Sequence, residues 1–453
     1  MHAFSLYKTF LYNYIVFTMQ YLCLIGGINM LIEHRHSLRG EITVPGDKSI
    51  SHRAILFGSI AKGVTEIDGF LMGEDCLSTI DCFRKMHVGI ELRPNNKIKI
   101  NGNGLKGLIA PSSTLNAGKA GTTLRLILGV LVGQSFNSVL TRDESTKKRS
   151  VAPVVKPLKQ MGAKINGRDD ASYCPLMVSP TRLTGISYKL PVNHSYFKSP
   201  ILLAGLYAEG ETRIEEDIKS RDHTELMLKY FGADITADDH SSSVRQINEL
   251  YAQHVQIPGD ISIAAYLITA ALLVPNSDLT IKNVGINPTR TGFIDVLKSM
   301  GAKIEILNER ICCNEKVADI NVTSSSLKAV EIDGSIIPRL LDEVTVIIVA
   351  AAMASGKTII NGLQGFKIKD SGRLKCLITE LSKMGAKAYE TDDSIIVEGG
   401  KPLKGTVIES YGDHIIAMAM SIAGLIAEGE TMIRKAQVVD IAFPEFYPVL
   451  NKL

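Results

Sequence analysis

Leu158-Lys-Gln-Met-Gly-Ala-Lys-Ile165 is the stretch on which the fold turns, because it comes back. It returns as Leu228-Lys-Tyr-Phe-Gly-Ala-Asp-Ile235, as Leu297-Lys-Ser-Met-Gly-Ala-Lys-Ile304 and as Leu381-Ser-Lys-Met-Gly-Ala-Lys-Ala388, with a weaker copy over residues 83–90. Each copy reads as the last turn of an amphipathic helix, a glycine at its C-terminus, then a strand. Spacings of 75, 70, 69 and 84 residues mark a repeat of supersecondary size.

A second pattern interleaves with the first. Ala61-Lys-Gly-Val-Thr-Glu-Ile67 returns at 208–214, 354–360 and 427–433. Each copy closes a strongly apolar run, at 54–60, 201–207, 344–353 and 415–426, and two further runs cover 122–132 and 262–273. A helix apolar on nearly every side must be buried. The chain therefore reads as six units of about 70 residues, each with one buried helix, one amphipathic helix and short strands. Pro45-Gly-Asp-Lys-Ser-Ile50 matches Pro258-Gly-Asp-Ile-Ser-Ile263, an offset close to three units. The expected fold class is α/β, in two domains of three units each, with the chain crossing between them near 45 and 258. One domain covers 46–258. The other joins 30–45 to 259–453, with a first strand around 38–44 paired into the C-terminal half.

Composition agrees with a packed enzyme-sized chain. Of 453 residues 45% are hydrophobic and 21% charged, which excludes wholesale disorder. Fifty basic and 47 acidic residues leave a net charge of +3, and aromatics are only 6% with no Trp. That balance argues against nucleic-acid binding. Seven cysteines show no C-x-x-C and no metal-ligand spacing, as expected of reduced thiols in a cytoplasmic protein. Cys312 and Cys313 are adjacent. Residues 9–32 carry no charge, long enough for a membrane span. The favoured reading is translation from Met30 with 1–29 as an extension; a real anchor is the alternative.

Helices that start at Ser, Thr or Asp after a Gly turn present free N–H groups and a positive dipole end. If several point into one cleft, the cleft binds anions. The nearby charges decide between that and ordinary caps. Lys48, Ser49 and Arg53 open the first buried helix, and charges on an apolar helix are costly without a partner or an anion. Asn116-Ala-Gly-Lys-Ala-Gly-Thr-Thr-Leu-Arg125 opens the second, where the N–H groups of Gly121 and Thr122 could cradle a phosphate; a plain turn is the other reading. Asp143-Glu-Ser-Thr-Lys-Lys-Arg149 is a charged loop that offers Arg149. Lys198-Ser199 and Ser220-Arg221-Asp222-His223 fall at strand-to-helix junctions. In Ile337-Pro-Arg-Leu-Leu-Asp-Glu343 the expected N-cap is Asp342, either a cap alone or a general base beside cations. Lys369-Asp-Ser-Gly-Arg373 adds Asp370 between two cations. Gly102-Asn-Gly-Leu-Lys-Gly107 matches G-x-G-x-x-G, but no helix follows, and Asn101-Gly102 reads as a hairpin turn rather than a dinucleotide loop.

Taken together, 44–53, 220–225, 258–265, Asn287-Pro-Thr-Arg-Thr-Gly292 and 337–343 resemble the enolpyruvyl transferase family, in the branch whose acceptor is 3-phosphoshikimate. The resemblance runs from about Leu38 to Leu453. It implies two domains, each of three βαβαββ units, closing on two anionic substrates. It implies transfer of the enolpyruvyl group of phosphoenolpyruvate to the 5-hydroxyl of 3-phosphoshikimate with release of phosphate, a step toward chorismate and the aromatic amino acids. It implies no metal or organic cofactor, and a monomer. By similarity Lys48, Ser49, Arg53, Ser195, Arg221, Asp342 and Lys369 would bind 3-phosphoshikimate, with Ser195 and Arg221 on its phosphate. Lys48, Gly121, Arg149 and Arg373 would contact phosphoenolpyruvate. Asp342 would take the hydroxyl proton, assisted by Lys369, and Asp370 stands where the family has a proton-transferring Glu.

This sequence departs from the family pattern at the site itself. Lys119 replaces an Asn, His194 and Tyr196 replace a Ser and a Gln around Ser195, Asp370 shortens the Glu, Gly372 replaces an Asp, and Ile415 replaces an Arg expected on phosphoenolpyruvate. These changes leave reduced activity, or a non-catalytic scaffold for a phosphorylated metabolite, as alternatives. A UDP-N-acetylglucosamine transferase, the other alternative, uses a loop Cys, and none lies between Cys82 and Cys174.

Overall fold

The structure, a computed structural model, describes residues 27–192 and 194–453, with the side chains of 364–371 set aside. Most of the uncharged 9–32 run lies outside the described residues. Its described end is strand, not helix: Met30–Ile32 pairs antiparallel with Thr431–Arg434.

Among the described residues twelve principal helices alternate in kind. Buried ones are α1 (Lys48–Ile60), α3 (Gly121–Leu131), α5 (Ser195–Gly205), α7 (Ile261–Leu273), α9 (Val344–Met353) and α11 (His414–Leu425). Between and after them come α2 (Glu74–Lys85), α4 (Ala152–Gln160), α6 (His223–Tyr230), α8 (Gly292–Ser299), α10 (Gln364–Lys383) and α12 (Phe446–Lys452). In α9 every residue from Val344 to Ala352 is buried. Such a helix has no polar face to show and must sit among neighbours on all sides.

Among the described residues six small sheets accompany the helices. In one, Ala61–Asp68 pairs antiparallel with Lys97–Asn103, which pairs with Gly89–Arg93. Its remaining edge is filled in parallel by His254–Gln256. The corresponding sheet of the other half sets Asp278–Gly285 against Glu315–Thr323 and Lys303–Cys312, and its parallel edge is Arg39–Thr43. Each strand that leads into a crossing therefore belongs to the half the chain is leaving. The sixth sheet has three strands, and Met30–Ile32 completes it beside Thr431–Arg434 and Val407–Glu409.

The two crossings lie side by side. Asp47 N donates to Pro258 O at 2.8 Å and Asp260 N to Pro45 O at 2.8 Å. Buried apolar residues form two clusters, one drawn from Ile50 to Ile257, the other from Ile32, Leu38 and Ile261 to Leu450. We refer to them as the first and second lobes.

Two local expectations are corrected. Asn101-Gly102 is no turn; both lie inside the strand Lys97–Asn103. The turn is the three-residue loop Pro94-Asn95-Asn96 between Arg93 and Lys97, where Asn95 and Asn96 take the left-handed φ values of 60° and 57° that Asn tolerates. Gly102 serves packing instead: a Cβ there would stand 2.2 Å from Ala61 O and 2.3 Å from Gly58 O. Gly399 repeats the arrangement in the second lobe, 2.2 Å from Ala351 O and 2.3 Å from Ala354 O. Likewise Asp342 is not the N-cap of α9; Glu343 is, without a side-chain cap bond. A 3-10 helix over Gly334–Arg339 and a tight turn at Leu340–Glu343 delay the helix start, which turns Asp342 toward the first lobe.

Gly102→Ala and Gly399→Ala should each destabilise the protein by about 1–3 kcal/mol, as overpacking against rigid backbone does. Urea titration checks this; an unchanged midpoint would refute the close-approach account.

Candidate active site

Three of the first lobe's buried helices begin at one cavity. Ser49 comes from α1, Thr122 and Arg125 from α3, and Ser195, Tyr196 and Ser199 from α5; Arg221 and His223 complete the wall. Convergent helix starts bring N–H groups and positive dipole ends to one place.

Two guanidinium groups dominate this cavity. Arg53 donates through Nε to Thr224 Oγ1 (2.7 Å), through Nη2 to Ser199 Oγ (2.9 Å) and through Nη1 to Ser49 O (3.0 Å). Arg125 lies with its guanidinium carbon 3.9 Å from the centre of the Tyr196 ring, a cation–π contact. Its Nε has no hydrogen-bond partner. Burial lowers both pKa values to about 10. Among the described residues neither is ion-paired to a carboxylate. A buried cation without a counter-ion is costly, and an anionic ligand removes that cost.

Arg221 is held from behind. Lys198, fully buried, donates to Glu216 Oε1 (2.7 Å) and to Ser220 O (3.2 Å), and pairs with Glu225 at 2.7 Å. Glu216 Oε2 accepts from Ser220 N (3.0 Å) and Oγ (2.6 Å). Burial works against the Lys198 charge, but Glu225 and Glu216 overcome it and raise its pKa. The loop so fixed presents Arg221, whose Nη2 lies 2.7 Å from Asp342 Oδ2 across the lobes.

A second cluster gathers at the start of α11. Asp413 Oδ1 caps it by accepting from Ile415 N (2.8 Å), while Asp413 Oδ2 accepts from Arg373 Nε (2.7 Å). Lys48 pairs with Asp75, and its backbone N donates to Asp260 Oδ2 (3.0 Å). His414 sits within electrostatic reach of Lys48 and Arg373; burial and those cations hold it at about 4, against the pull of Asp413.

The expected residues thus divide. Ser49, Arg53, Ser195 and Arg221 line one cavity, with Asp342 joined to it through Arg221. Lys48 and Arg373 both lie within electrostatic reach of His414. Gly121 opens α3 with its Cβ position 3.0 Å from Arg125 Nη2. Arg149 and Lys119 are exposed. Lys369 and Asp370 ride on α10, but their side chains lie outside the described residues. His194 caps α5 and stacks on Tyr196 with centroids 3.8 Å apart, so two of the substituted positions build a ladder ending on Arg125. Ile415 is half-buried against the core of the second lobe.

Arg125, Asp75 and Asp413 were not anticipated. Arg125 carried the same signal as Arg53, a single charge in an apolar helix. The two aspartates carried none, since they matter only through partners distant in sequence. Among the described residues no three His, Cys, Asp or Glu side chains converge as metal ligands. Nor is any described helix long and apolar enough to cross a membrane.

Repeated α/β units, a cavity lined by arginines in the first lobe and the Arg221–Asp342 pair reaching to the second agree with the enolpyruvyl transferase class. Residues 32–450 match the family described as EPSP synthase (3-phosphoshikimate 1-carboxyvinyltransferase). A 3-phosphoshikimate 1-carboxyvinyltransferase of Thermoanaerobacter sp. (strain X514) is 51% identical over 93% of this chain and 99% of its own. That of Brevibacillus brevis is 49% identical over the same shares. The structure of EPSP synthase from Acinetobacter baumannii superposes with a TM-score of 0.86 at 41% identity, covering 94% of this chain and 97% of that one. The chain belongs to the EPSP synthase family.

His52, fully buried on α1 behind the site, bonds Thr79 Oγ1 at 2.8 Å. Burial and then Lys48 depress its pKa from 6.5 to about 3. On acidification the unfolded chain takes up this proton first. The contribution is whole above pH 6.5 and shrinks as pH falls toward 3, by up to about 1.4 kcal/mol per unit. His52→Asn should flatten the slope of stability against pH between 6.5 and 4 in urea titrations. An equal slope in both proteins would contradict this.

Proposed function

We propose that this chain transfers the enolpyruvyl group of phosphoenolpyruvate to the 5-hydroxyl of 3-phosphoshikimate and releases phosphate, with the two clusters described above as its two subsites. The single observation that carries the assignment of subsites is the pair of arginines, buried Arg53 and half-buried Arg125, without carboxylate ion pairs among the described residues, beside Ser49 and Ser195. That cavity takes the phosphate of the acceptor, with Arg221 turning from Asp342 to the ligand.

Asp342 then faces the acceptor hydroxyl as general base. The hydroxyl oxygen forms a bond to C2 of phosphoenolpyruvate while the methylene carbon gains a proton. Loss of phosphate from C2 and of a proton from that carbon restores the double bond. Lys48, Arg373 and the N–H groups at Gly121 neutralise the phosphate and carboxylate of the donor; Arg149 closes from the rim. Lys369 assists Asp342, and Asp370 moves the methylene proton. No step calls for a cofactor or metal. Both walls come from one chain, 46–258 on one side and 30–45 with 259–453 on the other, so a monomer is complete for the reaction, and a cytoplasmic setting supplies both substrates.

The apolar Ile415 at the start of α11 favours weak affinity for the donor, since an Arg there would add a bidentate anion contact. Phosphate release from the two substrates tests the assignments. Asp342→Asn should lower kcat by about 10²–10⁴-fold with 3-phosphoshikimate still bound. Unchanged kcat would remove Asp342 from the chemistry. Ile415→Arg should lower the KM for phosphoenolpyruvate about tenfold or more, with the KM for 3-phosphoshikimate unmoved. No change would place Ile415 away from the donor subsite.

A further inference from the structure

The hairpin joining Lys303–Cys312 to Glu315–Thr323 ends in two thiols. Cys312 pairs with Glu315, which leaves Cys313 and Asn314 as a two-residue loop. Their φ values are 51° and 65°, the type I′ pattern. Asn is at home there; Cys adopts the left-handed region reluctantly, because its β-carbon crowds the backbone. Neighbouring side chains on a strand point to opposite faces. The turn undoes that alternation and sets the two Sγ atoms 3.9 Å apart on one side.

Both thiols are half-buried and free. Cys312 Sγ lies 3.3 Å from Gln256 Oε1, Cys313 Sγ accepts from Gln256 N at 3.3 Å, and Cys313 donates to His254 O at 3.5 Å. A trivalent arsenic atom is pyramidal, and with bonds of about 2.3 Å it holds two sulfurs about 3.3 Å apart. The present spacing of 3.9 Å therefore needs a closure of roughly half an ångström, which small side-chain rotations supply. Burial and the neighbouring thiol push Cys312 up to about 11, so it stays protonated at neutral pH. A divalent metal wants thiolates and further ligands, and among the described residues no third His, Cys, Asp or Glu is in place. A trivalent arsenical asks for less: it condenses with two thiols as they are.

We propose that Cys312 and Cys313 form a vicinal dithiol site for trivalent organic arsenicals. With phenylarsine oxide, two As–S bonds form, the arsenic–oxygen bond breaks, and the oxygen leaves as water with the two thiol protons. Arsenic stays trivalent, so no oxidant or reductant is needed.

The full-length reduced protein is treated with one equivalent of phenylarsine oxide and followed by intact and peptide mass spectrometry. The expected product is one adduct per chain that bridges residues 312 and 313. It should survive excess 2-mercaptoethanol and be removed by 2,3-dimercaptopropanol. Cys312→Ser and Cys313→Ser should each abolish the monothiol-resistant adduct while Cys376→Ser leaves it intact. An adduct stripped by 2-mercaptoethanol, or mapped to any other pair of cysteines, would overturn the proposal. Should either Ser variant fail to fold, the peptide map of the unsubstituted protein decides alone.

Discussion

Everything in this structure leans on one fully buried guanidinium. Arg290 donates from Nη1 to Asp47 Oδ2 (3.0 Å) and from Nη2 to Asp260 Oδ1 (3.2 Å) and Ser262 Oγ (2.7 Å). Those two aspartates cap the first buried helix of each lobe, and each sits in one of the two crossings. Burial works against all three charges. Asp47 and Asp260 overcome it for Arg290, which is held more basic than usual. For Asp47 the attraction of Arg290 also wins, and its pKa is lowered; Asp260, with Asp47 close by, is raised. A buried pair of this kind gains little over an apolar packing, but losing one member costs about 3–5 kcal/mol. Its return is geometric: both helix starts are tied to one atom group. His223 touches the same guanidinium at 3.2 Å, bonds Glu315 of the opposite lobe at 2.6 Å, and lines the cavity, so the clamp continues into the site wall.

The cavity uses charge in the opposite way. Around Arg290 every positive charge is matched, whereas Arg53 and Arg125 are held by hydroxyls, a carbonyl and an aromatic face. A protein stores unfavourable free energy by burying cations like this, and a doubly charged phosphate releases it. Arg221 is intermediate, since its partner Asp342 is itself a candidate for chemistry. Ligand binding there exchanges one ion pair for another rather than creating a charge contact from nothing.

The architecture was legible because it is written many times. The Met-Gly-Ala and Ala-x-Gly-x-Thr copies mark where helices stop, and the alternation of buried and amphipathic helices follows from apolar periodicity alone. Ser49, Arg53, Ser195 and Arg221 do share a cavity. Geometry that depends on one or two residues of backbone was not legible. Asp342 misses the cap because a 3-10 helix precedes it, and Asn101-Gly102 is strand because Asn95 and Asn96 already turn the chain. Partners far apart in sequence, such as Asp75 with Lys48 or Arg290 with both crossings, leave no local trace.

The small sheet that Met30–Ile32 completes has a bearing on how the chain is made. The first lobe is continuous in sequence, so a growing polypeptide can finish it while the rest is still being synthesised. The second cannot close until Thr431–Arg434 has emerged, some 400 residues after the strand that must flank it. During that interval Met30–Ile32 waits with its edge unpaired, while Arg39–Thr43 waits only until Asp278–Gly285 emerges. An already folded body stands between the two halves of the unfinished one. Birth order, rather than final stability, is where this topology is most exposed to error.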